Sequence, residues 1–248
     1  MHIIVTESYD ASAAFVADMI AELINKKPDC KLGLATGGTP VPIYKKLIGK
    51  NAAGEVDFAQ VRTVNLDEYC GLAGDHDQSY RYFMDTNVFD HVNINTANTF
   101  VASGLGDPAA NAAELDARVA EGGPCDLQLL GIGNNGHIAF NEAGDCLKAE
   151  SHIETLTEST IRANARFFES EADVPRHALT MGIGTILSAR RILLIATGEA
   201  KAKAIATVLS GKLTTSCPAS LLNLHSDVTI LCDRAAVSLC DPSLLATL

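Results

Sequence analysis

The stretch that decides the fold is Lys31-Leu32-Gly33-Leu34-Ala35-Thr36-Gly37-Gly38-Thr39-Pro40. Its first half is mainly apolar and predicts a strand over residues 31–35. Its second half predicts a turn, because paired glycines interrupt the strand. Thr39 can then cap a helix whose first position is Pro40 and which runs to about Gly49. A strand, a turn and a helix in this order indicate a parallel α/β unit.

The same alternation continues along the whole chain. Further strands are predicted over residues 2–5, 61–66, 126–130, 178–181, 191–196 and 227–231, and helices over residues 10–26, 78–89, 107–121, 182–189 and 199–209. We therefore predict an α/β fold, with one doubly wound, mainly parallel sheet of the Rossmann-like three-layer type in a single domain over residues 1–248. Residues 146–175 are the least sheet-like segment and are expected to form a lid.

Composition narrows the range of possible functions. A chain of 248 residues suits one α/β domain, and its apolar runs are too short to cross a membrane. The net charge of −11 disfavours nucleic acid, so the expected partner is a small molecule. The seven cysteines are scattered, without a Cys-x-x-Cys pair, which argues against a disulfide framework or a zinc site and for a reducing cytoplasm. Oligomeric state is left open.

Two polar turns are candidates for ligand binding. In the turn of Thr36, Gly37, Gly38 and Thr39, backbone N–H groups and hydroxyls at a helix start suit a phosphate. The run from Gly131 to Gly136 matches the dinucleotide fingerprint G-x-G-x-x-G, but polar residues follow it where a long helix should begin. We therefore expect no nucleotide cofactor, and glycines that let the backbone approach a small ligand.

Acid–base chemistry is expected at two strand ends. His137 follows the glycine-rich run, and a neighbouring carboxylate or amide, Glu142 or Asn135, would fix its tautomer. Asp67 and Glu68 follow an apolar strand, and adjacent residues of an extended chain face opposite ways. One of the two acids is therefore expected to face the ligand as a base, and the pattern does not choose between them.

Two cations stand out in this acidic chain. Arg166 lies in the predicted lid, and Lys201 lies in the first turn of a helix, where its charge opposes the helix dipole unless an anion binds there. Either residue would also fit a plain surface role.

These motifs together resemble the glucosamine-6-phosphate deaminase family, which is related to 6-phosphogluconolactonase. The resemblance runs in order through residues 34–40, 65–69, 131–142, 163–168 and 198–201. It implies an enzyme without a metal or cofactor that converts glucosamine 6-phosphate and water to fructose 6-phosphate and ammonium.

The resemblance also implies a role for each motif. Asp67 would move a proton between C2 and C1 of the sugar, which selects it over Glu68. His137 would assist ring opening, oriented by Asn135 and Glu142. The turn at residues 36–39, with Arg166 and Lys201, would bind the phosphate.

Two departures from the family qualify the resemblance. Some members carry Asp where this chain has Asn135; an amide can accept the imidazole N–H, but more of the electrostatic task would then fall on Glu142. Allosteric members have basic residues near the positions of His152 and Glu154, and a longer C-terminal tail. We therefore predict no activation by N-acetylglucosamine 6-phosphate. The alternative functions are a lactonase acting on a sugar phosphate and a sugar-phosphate sensor without catalysis.

Overall fold

Two β-sheets organise residues 1–245, the part of the chain that the computed structural model describes. The strands are β1 (His2–Thr6), β2 (Lys31–Leu34), β3 (Arg62–Asn65), β4 (Asp67–Tyr69), β5 (Thr99–Phe100), β6 (Leu127–Leu130), β7 (His152–Thr155), β8 (His177–Thr180), β9 (Ile192–Ala196) and β10 (Val228–Asp233). The helices are α1 (Tyr9–Lys26), α2 (Val41–Ala52), α3 (Tyr80–Asn87), α4 (Pro108–Ala120), α5 (Glu158–Asn164), α6 (Ile183–Leu187) and α7 (Ala202–Leu209).

The larger sheet has seven strands in the order β1-β10-β9-β6-β2-β3-β5, and all its pairings are parallel. The predicted α/β class with a mainly parallel sheet is confirmed. From the boundary between β2 and β6, the strands follow chain order outward as β2, β3 and β5 on one side and as β6, β9 and β10 on the other, with β1 added at the edge beside β10. The topological switch point lies at this boundary. Ligands bind outside the carboxyl ends of strands at such a point.

The smaller sheet is antiparallel, has the order β4-β8-β7, and was not predicted. The prediction that residues 178–181 extend the parallel sheet is wrong, because β8 pairs with β4 and β7 instead. Asp67 begins β4 and lies opposite Thr180, so it does not simply end the strand over residues 61–66. The segment 146–175 contains β7, and its role as a lid stays a prediction.

Burial of the central strands and capping of the helix ends explain where these strands and helices form. Every residue of β2, β6 and β9 is buried, as expected for strands covered by helices on both faces. Asp107 caps α4 and accepts a hydrogen bond from the backbone N–H of Ala109 at 3.0 Å. The predicted cap at Thr39 is wrong, because Pro40 holds the cap position of α2 and no side chain caps that helix. None of the helices in residues 1–245 is long and apolar enough to cross a bilayer.

Candidate active site

A cavity of about 270 Å³ opens near the carboxyl ends of β2 and β6. That volume is close to the lower end of about 300–1,000 Å³ for small-molecule sites, which suits a ligand of monosaccharide size. Four parts of the chain form its wall: the turn after β2, strand β4 with the start of α3, the loop after β6, and residues 164–168. Both Asp67 and His137 line this cavity.

Asp67 faces the cavity from β4 and is only 7% exposed. Its carboxylate makes no hydrogen bond within the described chain, so both oxygens are available to a ligand. Burial, together with the charge of Glu68, raises the pKa of Asp67 well above its usual range. A carboxylate in this environment is a stronger base than one in water.

Glu68 points away from the cavity and is 1% exposed. Its carboxylate accepts the backbone N–H groups of Tyr69 at 2.8 Å, Tyr80 at 2.9 Å and Arg81 at 3.0 Å. Burial raises its pKa to about 7, although these three donors favour the charged form. The two neighbouring acids therefore face opposite sides of β4, as alternation along an extended strand requires.

His137 lies on the loop after β6, with Glu142 behind it. The imidazole Nδ1 is 3.6 Å from Glu142 Oε2, and the Glu142 side chain is 5% exposed. Burial raises the pKa of Glu142, but the adjacent imidazole of His137, with the nearby polar groups of Thr160 and Asn135, outweighs burial and holds the pKa at about 2. Glu142 is thus a permanent anion beside the imidazole.

Asn135 does not take the place expected for it. Its Oδ1 accepts the backbone N–H of His137 at 3.1 Å, and its Nδ2 donates to Glu142 Oε2 at 3.0 Å. The prediction that this amide accepts the imidazole N–H is wrong, because its oxygen is used by the backbone. Neither Asn135 nor Glu142 lines the cavity. Both residues lie next to His137 and outside the cavity wall.

The glycine-rich run gives the imidazole its space. A Cβ atom on Gly133 would lie 2.4 Å from Cε1 of His137, so no larger residue fits there without moving the ring. The chain after Gly136 continues as a loop up to β7 and does not open a helix. Three residues after Gly136, Ala139 has φ 51°, a left-handed conformation that is rare outside glycine. Asn141 Nδ2 holds this turn by donating to the carbonyls of Ile138 at 3.0 Å and Met181 at 2.8 Å.

The turn after β2 lines the cavity with Thr36, Gly37, Gly38 and Thr39. Gly37 has φ 86°, which a glycine adopts without strain. The hydroxyl of Tyr9 donates to the carbonyl of Thr39 and lies 3.3 Å from the carbonyl of Gly38. Tyr9 was not singled out in the sequence. It fixes the turn from the start of α1.

Arg166 lines the cavity, whereas Lys201 lies beside it. Lys201 Nζ donates to Asn134 Oδ1 at 2.7 Å. Burial and the charge of Arg166 lower the pKa of Lys201, so the two cations are near each other. Neither forms an ion pair with an acid in residues 1–245. Two close cations without a protein anion suit an anionic ligand group.

Aromatic rings form one wall of the cavity, which the sequence analysis missed. The ring centroid of Tyr69 lies 5.0 Å from that of Tyr80, 5.5 Å from that of Phe140 and 5.6 Å from that of Phe168. Asn164 Nδ2, at the end of α5, donates to the Tyr69 hydroxyl at 2.9 Å. These rings are far apart in the chain, so only their place next to the polar motifs could have indicated the cluster.

Metal donors are not gathered anywhere in the described residues: no group of three or more His, Cys, Asp or Glu side chains could hold an ion. All seven cysteines are free, with Cys146 exposed and Cys70 half-buried. His152 is paired at both ring nitrogens, with the Glu150 carbonyl at 2.8 Å and Glu154 Oε2 at 3.0 Å.

Comparison with known proteins gives one family. The model of the glucosamine-6-phosphate isomerases/6-phosphogluconolactonase family matches residues 5–231. A glucosamine-6-phosphate deaminase of Clostridium perfringens is 52% identical over 243 residues, covering 96% of this chain and 99% of that protein. One of Shewanella loihica is 48% identical over 239 residues, covering 96% and 89%.

Comparison with solved structures gives the same result. A monomeric glucosamine-6-phosphate deaminase superposes with a TM-score of 0.94 at 44% identity, covering 96% of this chain and 100% of that one. A 6-phosphogluconolactonase of Thermotoga maritima superposes with a TM-score of 0.73 at 19% identity, covering 94% and 98%. At that identity the second likeness concerns the fold alone.

Proposed function

Because the chain belongs to the glucosamine-6-phosphate isomerase/6-phosphogluconolactonase family, we propose that it converts glucosamine 6-phosphate and water to fructose 6-phosphate and ammonium. The reaction is an aldose–ketose isomerisation coupled to a hydrolytic deamination in amino-sugar catabolism. The relatives at about 50% identity over nearly the whole chain are glucosamine-6-phosphate deaminases.

One observation carries the proposal: Asp67, with an unpaired carboxylate, and His137, backed by Glu142, line the same cavity. Opposite environments push the pKa of Asp67 up and that of Glu142 down. A site that separates its titratable groups in this way is suited to acid–base chemistry on one substrate. The other polar side of the cavity supplies the donors that a phosphate needs.

His137 acts first, on the closed sugar ring. It takes the proton of the C1 hydroxyl and a proton is returned to the ring oxygen, so the C1–O5 bond breaks and an aldehyde forms at C1. The Glu142 carboxylate stabilises the imidazolium while the imidazole carries the extra proton. Asn135 orients the loop by holding the backbone N–H of His137.

Asp67 then acts on the open chain. It removes the proton from C2, next to the aldehyde, and returns a proton to C1. The aldehyde oxygen takes up a proton and the amino group gives one up, so the product has a hydroxyl at C1 and an imine at C2. Water adds to that carbon, the C–N bond breaks, and ammonia leaves with a proton as ammonium. Positioned general acid–base groups of this kind contribute about 10²–10⁴-fold each.

The phosphate binds away from the reacting carbons. The turn at residues 36–39 offers backbone N–H groups and hydroxyls, and Arg166 contributes a guanidinium. Lys201 adds positive charge from beside the cavity, near Arg166. These groups anchor the substrate, so that C1 and C2 meet Asp67.

Two further features complete the proposal. The whole chain, residues 1–248, acts as one catalytic domain, with no metal or organic cofactor in the reaction. A reducing compartment, the cytoplasm, is proposed as its location, because all seven cysteines are free.

The direct test is ammonium release from glucosamine 6-phosphate by the purified protein, with Asp67→Asn as the matched variant. We expect stoichiometric ammonium and fructose 6-phosphate from the wild type. Tight binding of the sugar without ammonium release would indicate a sensor instead. Hydrolysis of a 6-phosphogluconolactone without any ammonium release would indicate a lactonase. Either result would overturn the proposal.

A further inference from the structure

Glu68 is a second buried acid beside the reacting carboxylate, and the reaction sequence above does not use it. Its side chain lies at the N-terminus of α3, where the first backbone N–H groups of a helix lack partners. The N–H groups of Tyr80 and Arg81 both point at this carboxylate, at 2.9 and 3.0 Å. Ser79 caps the same helix end by accepting from the N–H of Tyr82 at 3.0 Å.

The helix end that Glu68 holds is also a wall of the cavity. Residues 77–80 line the cavity together with Asp67. Tyr80 continues that wall, because its ring stacks on Phe140 at 6.0 Å with an interplanar angle of 1°. Glu68 therefore connects β4, which carries Asp67, to the segment that faces the ligand. Moving that carboxylate would move both.

No cation pairs with Glu68 within residues 1–245. The titratable groups near it are Asp67 and Tyr69 on β4, Cys70 just after that strand, and Tyr80 on α3, none of which carries a positive charge. Arg81 binds Glu68 through its backbone N–H, while its guanidinium pairs with Asp85 at 2.8 Å and with the Thr99 hydroxyl at 3.0 Å. Simple stability would favour a neutral side chain at such a position.

We propose that Glu68 is a positioning residue for this reaction: its carboxylate fixes the first turn of α3 as a wall of the substrate cavity, and its negative charge acts on the neighbouring carboxylate of Asp67. The inference rests on the proposed function, since it assigns a role in that site. The charge effect has a definite sign, because a like charge nearby disfavours ionisation and so raises the pKa of Asp67.

Two substitutions separate the two effects. Glu68→Gln keeps the length of the side chain and removes its charge. Glu68→Asp keeps the charge but is one methylene shorter, so it cannot reach all three N–H groups. Asp107→Asn is the matched control, because Asp107 also caps a helix with its carboxylate but lies outside the cavity wall.

The pH profile of kcat/KM distinguishes these variants. We expect Glu68→Gln to move the acidic limb to lower pH by about one unit, because Asp67 then ionises more easily. Glu68→Asp should leave that limb in place and lower kcat about tenfold or more, because the misplaced wall no longer orients the substrate. Asp107→Asn should leave both quantities unchanged. The proposal would be overturned if the acidic limb of the kcat/KM profile stayed at the wild-type pH in Glu68→Gln. It would also be overturned if both Glu68 variants lost kcat equally and neither shifted that limb.

A carboxyl NMR titration of the wild type reads the same coupling without turnover. We expect Glu68 to titrate near pH 7 and Asp67 well above the ordinary Asp pKa of about 3.9. A midpoint near 4 for both carboxyls would overturn the inference, even where the variants do not fold. If the wild type releases no ammonium, the proposed function fails, and this titration still decides whether the two charges interact.

Discussion

On β4, Asp67 and Glu68 are buried with no cation facing them among the described residues, whereas on the loop after β6, Glu142 is buried beside an imidazole. Burial raises the pKa of all three carboxyls, yet only that of Glu142 falls, to about 2, because hydrogen bonds and the charge of His137 outweigh burial there. The partner of a buried acid, and not its burial, therefore decides whether the acid is a base or a fixed anion.

The largest effect is expected from Asp67→Asn. An amide of the same shape cannot accept the C2 proton, so kcat should fall about 10²–10⁴-fold while KM changes little. Steady-state ammonium release measures both constants. Asp77→Asn is a suitable control, because Asp77 is an exposed acid at the same cavity. Near-normal turnover in Asp67→Asn would exclude Asp67 as the base, and the contrast between the acids of β4 and Glu142 would then have no catalytic meaning.

Arg166→Ala should affect binding and leave both carboxyl environments intact. Loss of a charged hydrogen bond of about 1.5–3 kcal/mol predicts a rise in KM of about 10- to 100-fold, with kcat and the pH profile nearly unchanged. The exposed Arg162, four residues earlier on α5, supplies the control Arg162→Ala. An unchanged KM would exclude Arg166 from the phosphate site.

Glu142→Gln tests the other side of the comparison. The pKa of about 2 keeps Glu142 ionised at any working pH, so the variant removes a permanent charge beside His137. We expect kcat to fall about tenfold, because the imidazolium loses the negative charge beside it although an amide of the same shape still packs there. Steady-state ammonium release measures kcat. A wild-type kcat in Glu142→Gln would show that this carboxylate does not act on the imidazole.

The smallest effect is expected from N-acetylglucosamine 6-phosphate as an effector. His152 and Glu154 pair with each other at 3.0 Å and do not line the cavity, and a carboxylate there repels a phosphate. Rate curves should be hyperbolic with and without this compound. A sigmoidal curve that becomes hyperbolic on its addition would contradict the prediction.

Strongly periodic parts of the fold could be predicted from the sequence. The parallel strands are short apolar runs bounded by turns, and their alternation with helices is sufficient to indicate the sheet. The antiparallel sheet could not be found this way, because β4 has three residues and β7 and β8 have four, too few for a clear period. Its strands are polar in part and depend on contacts with each other.

The sequence was sufficient to locate the motifs of the site, but not to say which side chains contact each other there. The loop at residues 131–142 and the acids after β3 were located because polar residues follow apolar strands there. Which acid faces the cavity depends on the register of β4 against β8, and the partner of Asn135 depends on how the loop folds back. The aromatic wall and Tyr9 join residues far apart in the chain, and local patterns do not carry that information.

The acidic limb of the kcat/KM profile against pH tests the central claim most directly, because it follows the ionisation of the base in the free enzyme. An ordinary Asp has a pKa of about 3.9. Since burial and Glu68 raise the pKa of Asp67, its reactive carboxylate is lost at higher pH than usual, and activity should fall as the pH drops through a midpoint well above 4. Full activity maintained down to about pH 4 would contradict the account.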